Sequence, residues 1–277
     1  MSKVVSSIFF DTNGELRSAW WVAIFFVILS LFLFPVIILS DYYSFEITVW
    51  HQVIIIMVAS VLCQTVRRKP LYELIGRIGY SWFRDFLIGL IVGAMLMTLP
   101  ALLLTLFGVI RWHVNEISFP AFISGISVMV SVVLAEELLF RGFIFQRLID
   151  AFGEWPAQLI IAGLFLLTHL NNPGMIGIIK TLASINIFIA SILFGIAYIK
   201  TKNLGMPIGL HFFANVVQGT ILGFGVSGEK EVSIFTPIIN KTPDWITGGM
   251  FGLEASAVGL VTLVAITISL YFWYPSK

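Results

Sequence analysis

The chain has 277 residues, of which 58% are hydrophobic and 11% are charged, and its mean hydropathy is +0.99. A soluble domain is about 45–50% apolar and about 25% charged, so the composition excludes an ordinary cytosolic protein. It also excludes a disordered chain, which needs low hydrophobicity and high charge. The formal net charge of +1 lacks the basic excess typical of nucleic-acid-binding proteins, and we expect no nucleic-acid partner.

Eight apolar runs follow one another along the chain, and a bilayer-spanning helix takes about 20 such residues. They lie at about 19–40, 47–66, 86–110, 121–146, 157–170, 177–199, 205–224 and 253–274. The fifth run is short for a crossing, which is tolerated only when it is buried among other helices or beside a polar cavity. The sequence therefore predicts an all-α, polytopic membrane protein with about eight transmembrane helices.

Positively charged residues predict the orientation, because cytoplasmic loops carry an excess of Lys and Arg. With eight crossings and a cytoplasmic N-terminus, the inner segments hold Lys3, Arg17, Arg67, Arg68, Lys69, Arg77, Arg84, Arg141, Arg147, Lys200, Lys202 and Lys277. The outer segments then hold Arg111, Lys230 and Lys241. We therefore expect both termini to be cytoplasmic.

Ionisable residues at membrane depth are expensive and typical of functional sites. The fourth run carries Glu136 and Glu137, the fifth carries His169, and the seventh carries His211 and Asn215. At 1.5 Å per residue, Glu136, His169 and His211 lie about 16, 20 and 13 Å from the inner ends of their helices. These residues can therefore meet in one cluster, which we expect to open towards the cytoplasm.

Spacing indicates which of these side chains share a helix face. His211 and Asn215 are four residues apart and lie on one face. Glu136 and Glu137 point about 100° apart, so we expect one to face the cavity and the other to turn to a neighbouring helix or to Arg141. A carboxylate can act as a general base, and imidazoles can bind a metal or hydrogen-bond a water and an oxyanion. The residues by themselves indicate a hydrolytic site.

The pattern of these residues resembles the motifs of the CPBP family of intramembrane proteases. This family comprises CAAX proteases, bacteriocin-processing enzymes and Abi proteins, and it includes the Ras-converting CAAX endopeptidases. The family pattern EExxxR is Glu136–Arg141, FxxxH is Phe165–His169, and HxxxN is His211–Asn215. The segments Gly14–Trp20 and Gly248–Glu254 are also similar to those of bacterial members.

The resemblance is close over about residues 120–220 and divides the chain into three parts. Residues 1–118 hold about three N-terminal transmembrane helices. Residues 119–224 form the CPBP/Abi-like catalytic core, and residues 225–277 hold an outer loop and the final transmembrane helix.

The resemblance implies an intramembrane endopeptidase and a role for each site residue. Glu136 would activate the attacking water together with His169, and His211 and Asn215 would stabilise the oxyanion. Glu137 is the remaining member of the catalytic set. Supporting residues would be Arg141, Phe165 and Glu254, although Glu254 at a helix start can also simply complement the helix dipole.

A metal cofactor is implied by the same resemblance. Two histidines and a glutamate suffice as the three protein ligands of an open zinc site, so Glu136, His169 and His211 would hold Zn²⁺ or another divalent metal. A metal-independent glutamate mechanism is the alternative, and the sequence has no HExxH motif of the helical zincins.

The expected partners are a hydrophobic or lipidated peptide substrate and membrane lipids, in a bacterial cell membrane. The bacterial-like segments favour a peptide pheromone, a bacteriocin or another membrane peptide over a prenylated CAAX protein. Two other functions stay open at this point. Buried carboxylates and histidines also form relays in proton- or ion-coupled transporters, and a non-catalytic relative can act as an immunity protein or scaffold.

Overall fold

The computed structural model describes residues 8–275, and this part of the chain is mostly helical. Its helices are α1 Ser18–Tyr43, α2 Val49–Val66, α3 Tyr80–Leu106, α4 Phe119–Glu137, α5 Ile144–Phe152, α6 Glu154–His169, α7 Gly177–Thr201, α8 Gly205–Asn215, α9 Asp244–Thr247 and α10 Ala257–Trp273. Each of the eight predicted apolar runs coincides with one of these helical segments. Lys3, Lys277 and both chain ends lie outside the described residues, so the cytoplasmic placement of the termini stays a prediction.

Within residues 8–275, five helical segments are long and apolar enough to cross a membrane. They are Ser18–Tyr43, Val49–Val66, Tyr80–Leu106, Phe119–Phe152 and Gly177–Thr201. Helix α6 has 16 residues and α10 has 17, which at 1.5 Å per residue is less than the hydrocarbon thickness of about 30 Å. The chain is therefore a polytopic helical membrane protein, and the number of eight crossings stays a prediction.

Local sequence explains where several of these helices begin. The Ser118 side chain accepts a hydrogen bond from the Ala121 backbone N–H at the start of α4. The Ser256 side chain accepts one from Gly259 at the start of α10. A serine in this position satisfies a backbone donor that has no partner within the helix.

The two helices that carry most of the candidate site residues are each followed by a π-helical turn. Leu138–Phe143 continues α4 directly after Glu137, and Val216–Ile221 continues α8 directly after Asn215. Single π-helical turns inside helices are frequent at functional sites. Here they shift the helix register next to the glutamate pair and next to the asparagine.

Two short strands depart from the all-α prediction. Strand β1 Ile110–Val114 pairs antiparallel with β2 Phe235–Ile239, with Ile110 opposite Ile239 and Val114 opposite Phe235. The first strand directly follows α3, and the second lies in the long connector between α8 and α10. The sheet ties this connector to the end of the helical bundle.

Helices α3 and α8 pack closely because glycine lies at their contact. A Cβ atom at Gly93 would overlap the backbone oxygen of Leu210, and one at Gly209 would overlap that of Phe86. Small residues let membrane helices approach to backbone contact. This packing fixes the helix that carries His211.

These contacts cross the predicted division of the chain at residues 118 and 224. Helix α3, from the first part, packs against α8 of the second, and β1 pairs with β2 of the third. The division into three parts itself stays a prediction.

Candidate active site

A cavity of about 350 Å³ lies among α4, α6, α7, α8 and α10. Apolar side chains form much of its wall, and the polar residues predicted from the sequence meet on one part of it. The polar lining residues are Glu136, His169, Asn172, Asn186, His211, Asn215, Ser227, Glu229, Glu231 and Glu254. An apolar pocket with a few convergent polar groups is typical of a substrate site.

Glu136 faces both histidines across this cavity. Its Oε1 atom lies 3.7 Å from Nε2 of His169, and its Oε2 atom lies 3.6 Å from Nε2 of His211. The side chain of Glu136 is 23% exposed. These separations are longer than a direct hydrogen bond, and one water can bridge groups at such distances.

Glu137 points away from the cavity into the protein and is fully buried. Its Oε1 atom lies 2.8 Å from Nδ1 of His211 and accepts a hydrogen bond from Nη1 of Arg141 at 3.2 Å. The adjacent glutamates therefore divide as expected. Glu136 faces the cavity, and Glu137 contacts it only through His211.

Arg141 is held in an aromatic and polar enclosure behind the site, where it has no exposed surface. Its Nη2 atom donates to the Ser191 side chain at 2.8 Å and to the Ser191 carbonyl at 3.2 Å. Its guanidinium lies 4.8 Å from the ring centre of Phe165 and 5.1 Å from that of Phe194. The ion pair with Glu137 and these ring contacts compensate the buried charge.

The backbone and Glu137 set the orientation of both histidines. Nδ1 of His169 lies 2.7 Å from the Phe165 carbonyl, and Nδ1 of His211 lies against the Glu137 carboxylate. Both partners are acceptors, so each Nδ1 carries the proton. Each Nε2 therefore presents its lone pair towards Glu136 when the ring is neutral.

Asn215 lies one helical turn beyond His211 and lines the same cavity. It is 8% exposed. Among residues 8–275, no hydrogen bond holds its side-chain amide. The amide is thus a donor that is available to a molecule in the cavity.

Glu254 also lines the cavity, in the short 3₁₀ turn Leu253–Ala255. Its Oε1 atom accepts hydrogen bonds from the backbone N–H and the hydroxyl of Ser227, and one from Nε2 of Gln218 at 3.3 Å. Burial raises the pKa of this carboxyl above its usual range, although the hydrogen bonds and the two site histidines oppose the shift. Glu254 anchors the connector that carries Ser227.

All the site residues predicted from the sequence are in or beside this cavity. Glu136, Phe165, His169, His211, Asn215 and Glu254 line it, and Glu137 and Arg141 lie behind His211. Sequence reasoning missed Ser191, Phe194, Gln218 and Ser227. Phe194 stacks on His211 with ring centres 4.6 Å apart. A serine or phenylalanine in an apolar run is ordinary, and no sequence signal distinguishes these two.

The comparison with protein families agrees with this arrangement. Residues 117–217 match the family model described as type II CAAX prenyl endopeptidase Rce1-like. Residues 117–217 are an Rce1-like domain. The predicted CPBP and CAAX protease family is confirmed for this domain, which belongs to a family of membrane proteases. No curated protein matches the chain.

The predicted metal ligands Glu136, His169 and His211 all lie in the Rce1-like domain. The Nδ1 partners of both histidines are of the kind that metal-binding histidines have. However, no three His, Cys, Asp or Glu side chains in the described part of the chain are arranged to hold a metal ion. A metal held by Glu136, His169 and His211 stays a prediction.

The cavity reaches the connectors at one end of the bundle. Asn172, which precedes α7, and Glu229, which follows α8 and is exposed, both line it. Lys69 and Lys202 lie at the other end of the bundle, since Lys202 follows the last residue of α7. If that basic end is cytoplasmic, the cavity opens away from the cytoplasm. The topology and the side of the membrane to which the cavity opens both stay predictions.

Proposed function

We propose that the chain is an intramembrane endopeptidase that hydrolyses a peptide bond of a hydrophobic or lipidated peptide. The observation that carries this proposal is the placement of Glu136 between the Nε2 atoms of His169 and His211, at 3.7 and 3.6 Å. A carboxylate and two oriented imidazoles at these distances can share and activate one water.

The first half of the reaction begins at Glu136. Its carboxylate takes a proton from water, which His169 orients through Nε2, and the water oxygen attacks the peptide carbonyl carbon. The carbonyl π electrons move to oxygen, so that a tetrahedral oxyanion forms. The side-chain amide of Asn215 and a protonated Nε2 of His211 donate hydrogen bonds to this oxyanion, which stabilises it.

Glu137 and Arg141 support this step as positioning residues. The buried Glu137 carboxylate accepts from Nδ1 of His211, so it fixes the ring and stabilises the imidazolium form. Arg141 holds Glu137 in turn. The arrangement follows the general logic of a base that is oriented by a third group.

The second half returns the proton. The tetrahedral intermediate collapses, the bond between carbon and nitrogen breaks, and the proton on Glu136 passes to the leaving amine. The products are a carboxylic acid and an amine, and the residues return to their starting states. No metal is required for this route.

The cavity composition supports an apolar peptide that does not present its C-terminal carboxylate there. Four glutamates line the cavity, whereas its described lining residues include no Lys or Arg. A carboxylate placed in it would meet like charges without a cation to pair with. We therefore favour a membrane peptide cleaved internally over a substrate that is recognised by its C-terminus.

The test uses Glu136→Gln in the full chain. We expect cleavage of a quenched fluorescent peptide with an apolar core to fall by at least about 10²-fold, the usual contribution of a positioned general base. Membrane abundance and thermal unfolding should not change. Glu116→Gln, at an exposed glutamate that does not line the cavity, is the matched control and should retain activity. Full activity of Glu136→Gln would refute the assignment.

Metal chelators test whether the reaction proceeds without a metal. Treatment of the purified protein with EDTA and then with 1,10-phenanthroline should leave the rate unchanged. A loss of rate that added Zn²⁺ restores would favour the metal-assisted alternative.

A further inference from the structure

A second cavity, of about 590 Å³, lies at the end of the bundle opposite the opening of the active-site cavity. Residues from α5, from the C-terminal end of α7 and from the segment after α2 form its walls. It has no residue in common with the active-site cavity. We call it the basic cavity.

Charge distinguishes the basic cavity from the active-site cavity. Five cationic residues line it, against two carboxylates. The cations are Arg67, Lys69, Arg77, Arg147 and Lys202, and the carboxylates are Glu73 and Asp150. The cavity therefore has a surplus of positive charge, which favours an anionic ligand.

Arg147 is buried in the wall of the basic cavity with hydrogen-bond donors that the described residues leave unpaired. It is 5% exposed, and its Nη2 atom pairs with Asp150 at 3.2 Å. Its Nε and Nη1 atoms have no hydrogen-bond partner among the described residues. A buried cation with unmet donors is costly unless a further anion compensates it.

Arg67 adds a second cation close to the first. The guanidinium carbons of Arg67 and Arg147 lie 5.7 and 5.6 Å from the ring centre of Phe143. Burial and the neighbouring charge of Arg147 lower the pKa of Arg67. Two partly buried cations that repel each other form a site whose repulsion an anion would relieve.

The location of the basic cavity indicates the source of the anion. The cavity is at the end of the membrane-spanning helices, beside the long and largely exposed apolar helix α1. Basic pockets between transmembrane helices at the cytoplasmic side are typical sites for anionic lipid headgroups. We propose that the basic cavity binds the phosphate of an anionic phospholipid headgroup, with the acyl chains along the apolar helix surface.

The experiment measures binding of a short-chain phosphatidylglycerol to the detergent-solubilised full chain, with phosphatidylcholine as the neutral comparison. We expect at least about tenfold tighter binding of phosphatidylglycerol, since each cation near a membrane surface contributes about 1 kcal/mol, or about fivefold. The double variant Lys69→Gln/Arg77→Gln should remove most of this preference. Both side chains are exposed, so the substitutions are compatible with folding.

Arg68→Gln is the matched control. Arg68 lies between two residues of the basic cavity but is exposed and does not line it. It should keep the preference for phosphatidylglycerol. Circular dichroism verifies the fold of each variant, and Lys69→Gln alone replaces the double variant if that one fails to fold.

Three results would overturn the proposal. The first is equal binding of both lipids by the wild-type chain, and the second is an equal loss in Arg68→Gln. The third is a result in which inorganic phosphate displaces bound phosphatidylglycerol at the same concentration as unlabelled phosphatidylglycerol does. That result would identify a site for free anions. The readout is binding, so the result is independent of whether the chain is a peptidase.

Discussion

The two adjacent glutamates differ in their burial and in their partners. Glu136 is partly exposed and faces His169 and His211, whereas Glu137 is fully buried and paired with Arg141. Neutralising each of these two chemically identical side chains should therefore have a different effect, on activity for Glu136 and on stability for Glu137. We therefore propose that Glu136 takes part in the chemistry of the site and that Glu137 positions it.

Glu137→Gln tests this difference through stability. Removing one partner of a buried ion pair leaves the other charge uncompensated and costs about 3–5 kcal/mol. We expect Glu137→Gln to lower the thermal unfolding midpoint in detergent. Glu137→Ala should lower it by at least as much. Glu136→Gln is the comparison and should unfold at the wild-type temperature. Equal midpoints for Glu136→Gln and Glu137→Gln would contradict the assignment.

Glu254 should make stability depend on pH. Its pKa in the folded protein is raised, chiefly by burial, so its contribution to stability is complete below the pKa of the unfolded chain, about 4.3. That contribution is lost as the pH rises through the raised pKa of the folded state. The midpoint difference between Glu254→Gln and the wild type should therefore grow in favour of the variant as the pH rises.

The comparison isolates Glu254 because the other titratable groups that face it, His169 and His211, are present in both proteins. Glu254→Ala also removes the acceptor for Ser227 and Gln218 and should be less stable than Glu254→Gln at every pH. A midpoint difference that does not change with pH would show that Glu254 does not titrate in this way.

At the scale of elements, the closest contact in the bundle lies between α3 and α8. A methyl group at Gly93 would overlap the Leu210 backbone oxygen, one residue before His211. Gly93→Ala should therefore push α8 away, cost about 1–3 kcal/mol and reduce activity, as thermal unfolding and peptide cleavage would show. Gly163→Ala in α6 meets no atom within 4 Å and should retain both. Wild-type behaviour of Gly93→Ala would refute the packing argument.

The elements show how far sequence reasoning reaches. The length of the apolar runs placed eight segments that coincide with helices, because a chain that crosses the bilayer core must be helical there or form a closed barrel. The same reasoning missed the π-helical turns after Glu137 and Asn215, since a local change of register leaves composition unchanged. It also missed the pairing of β1 with β2, where residues such as Ile110 and Ile239 are distant in the chain.

The candidate site was predictable for a related reason. Glu136, His169 and His211 are polar residues at membrane depth, and such residues are rare enough to be recognised one by one. The residues that contact them cannot be recognised in this way, because Phe194 and Ser191 do not differ from other residues of an apolar helix. The direction in which the cavity opens depends on connectors such as the one that carries Glu229. Their course is set by tertiary contacts rather than by local sequence.

At the scale of the whole molecule, the two cavities give the bundle opposite ends of different charge. Glutamates line the active-site cavity, and cations line the basic cavity. The positive-inside rule predicts that the basic end is cytoplasmic, and the end of the cavity near Glu229 would then face the outer side. A peptide substrate would reach the site from that side or from the bilayer, and the basic end would meet the anionic cytoplasmic leaflet.

Single cysteines decide the orientation. Glu229→Cys and Arg68→Cys place thiols at the two ends of the bundle, and both positions are exposed. The native Cys63 is fully buried and should not react. On intact cells, a membrane-impermeant maleimide should label Glu229→Cys, and it should label Arg68→Cys only after the membrane is permeabilised. The opposite pattern would place the cavity opening in the cytoplasm and show that the charge distribution does not set the topology. Either pattern determines which side of the membrane each end of the bundle faces.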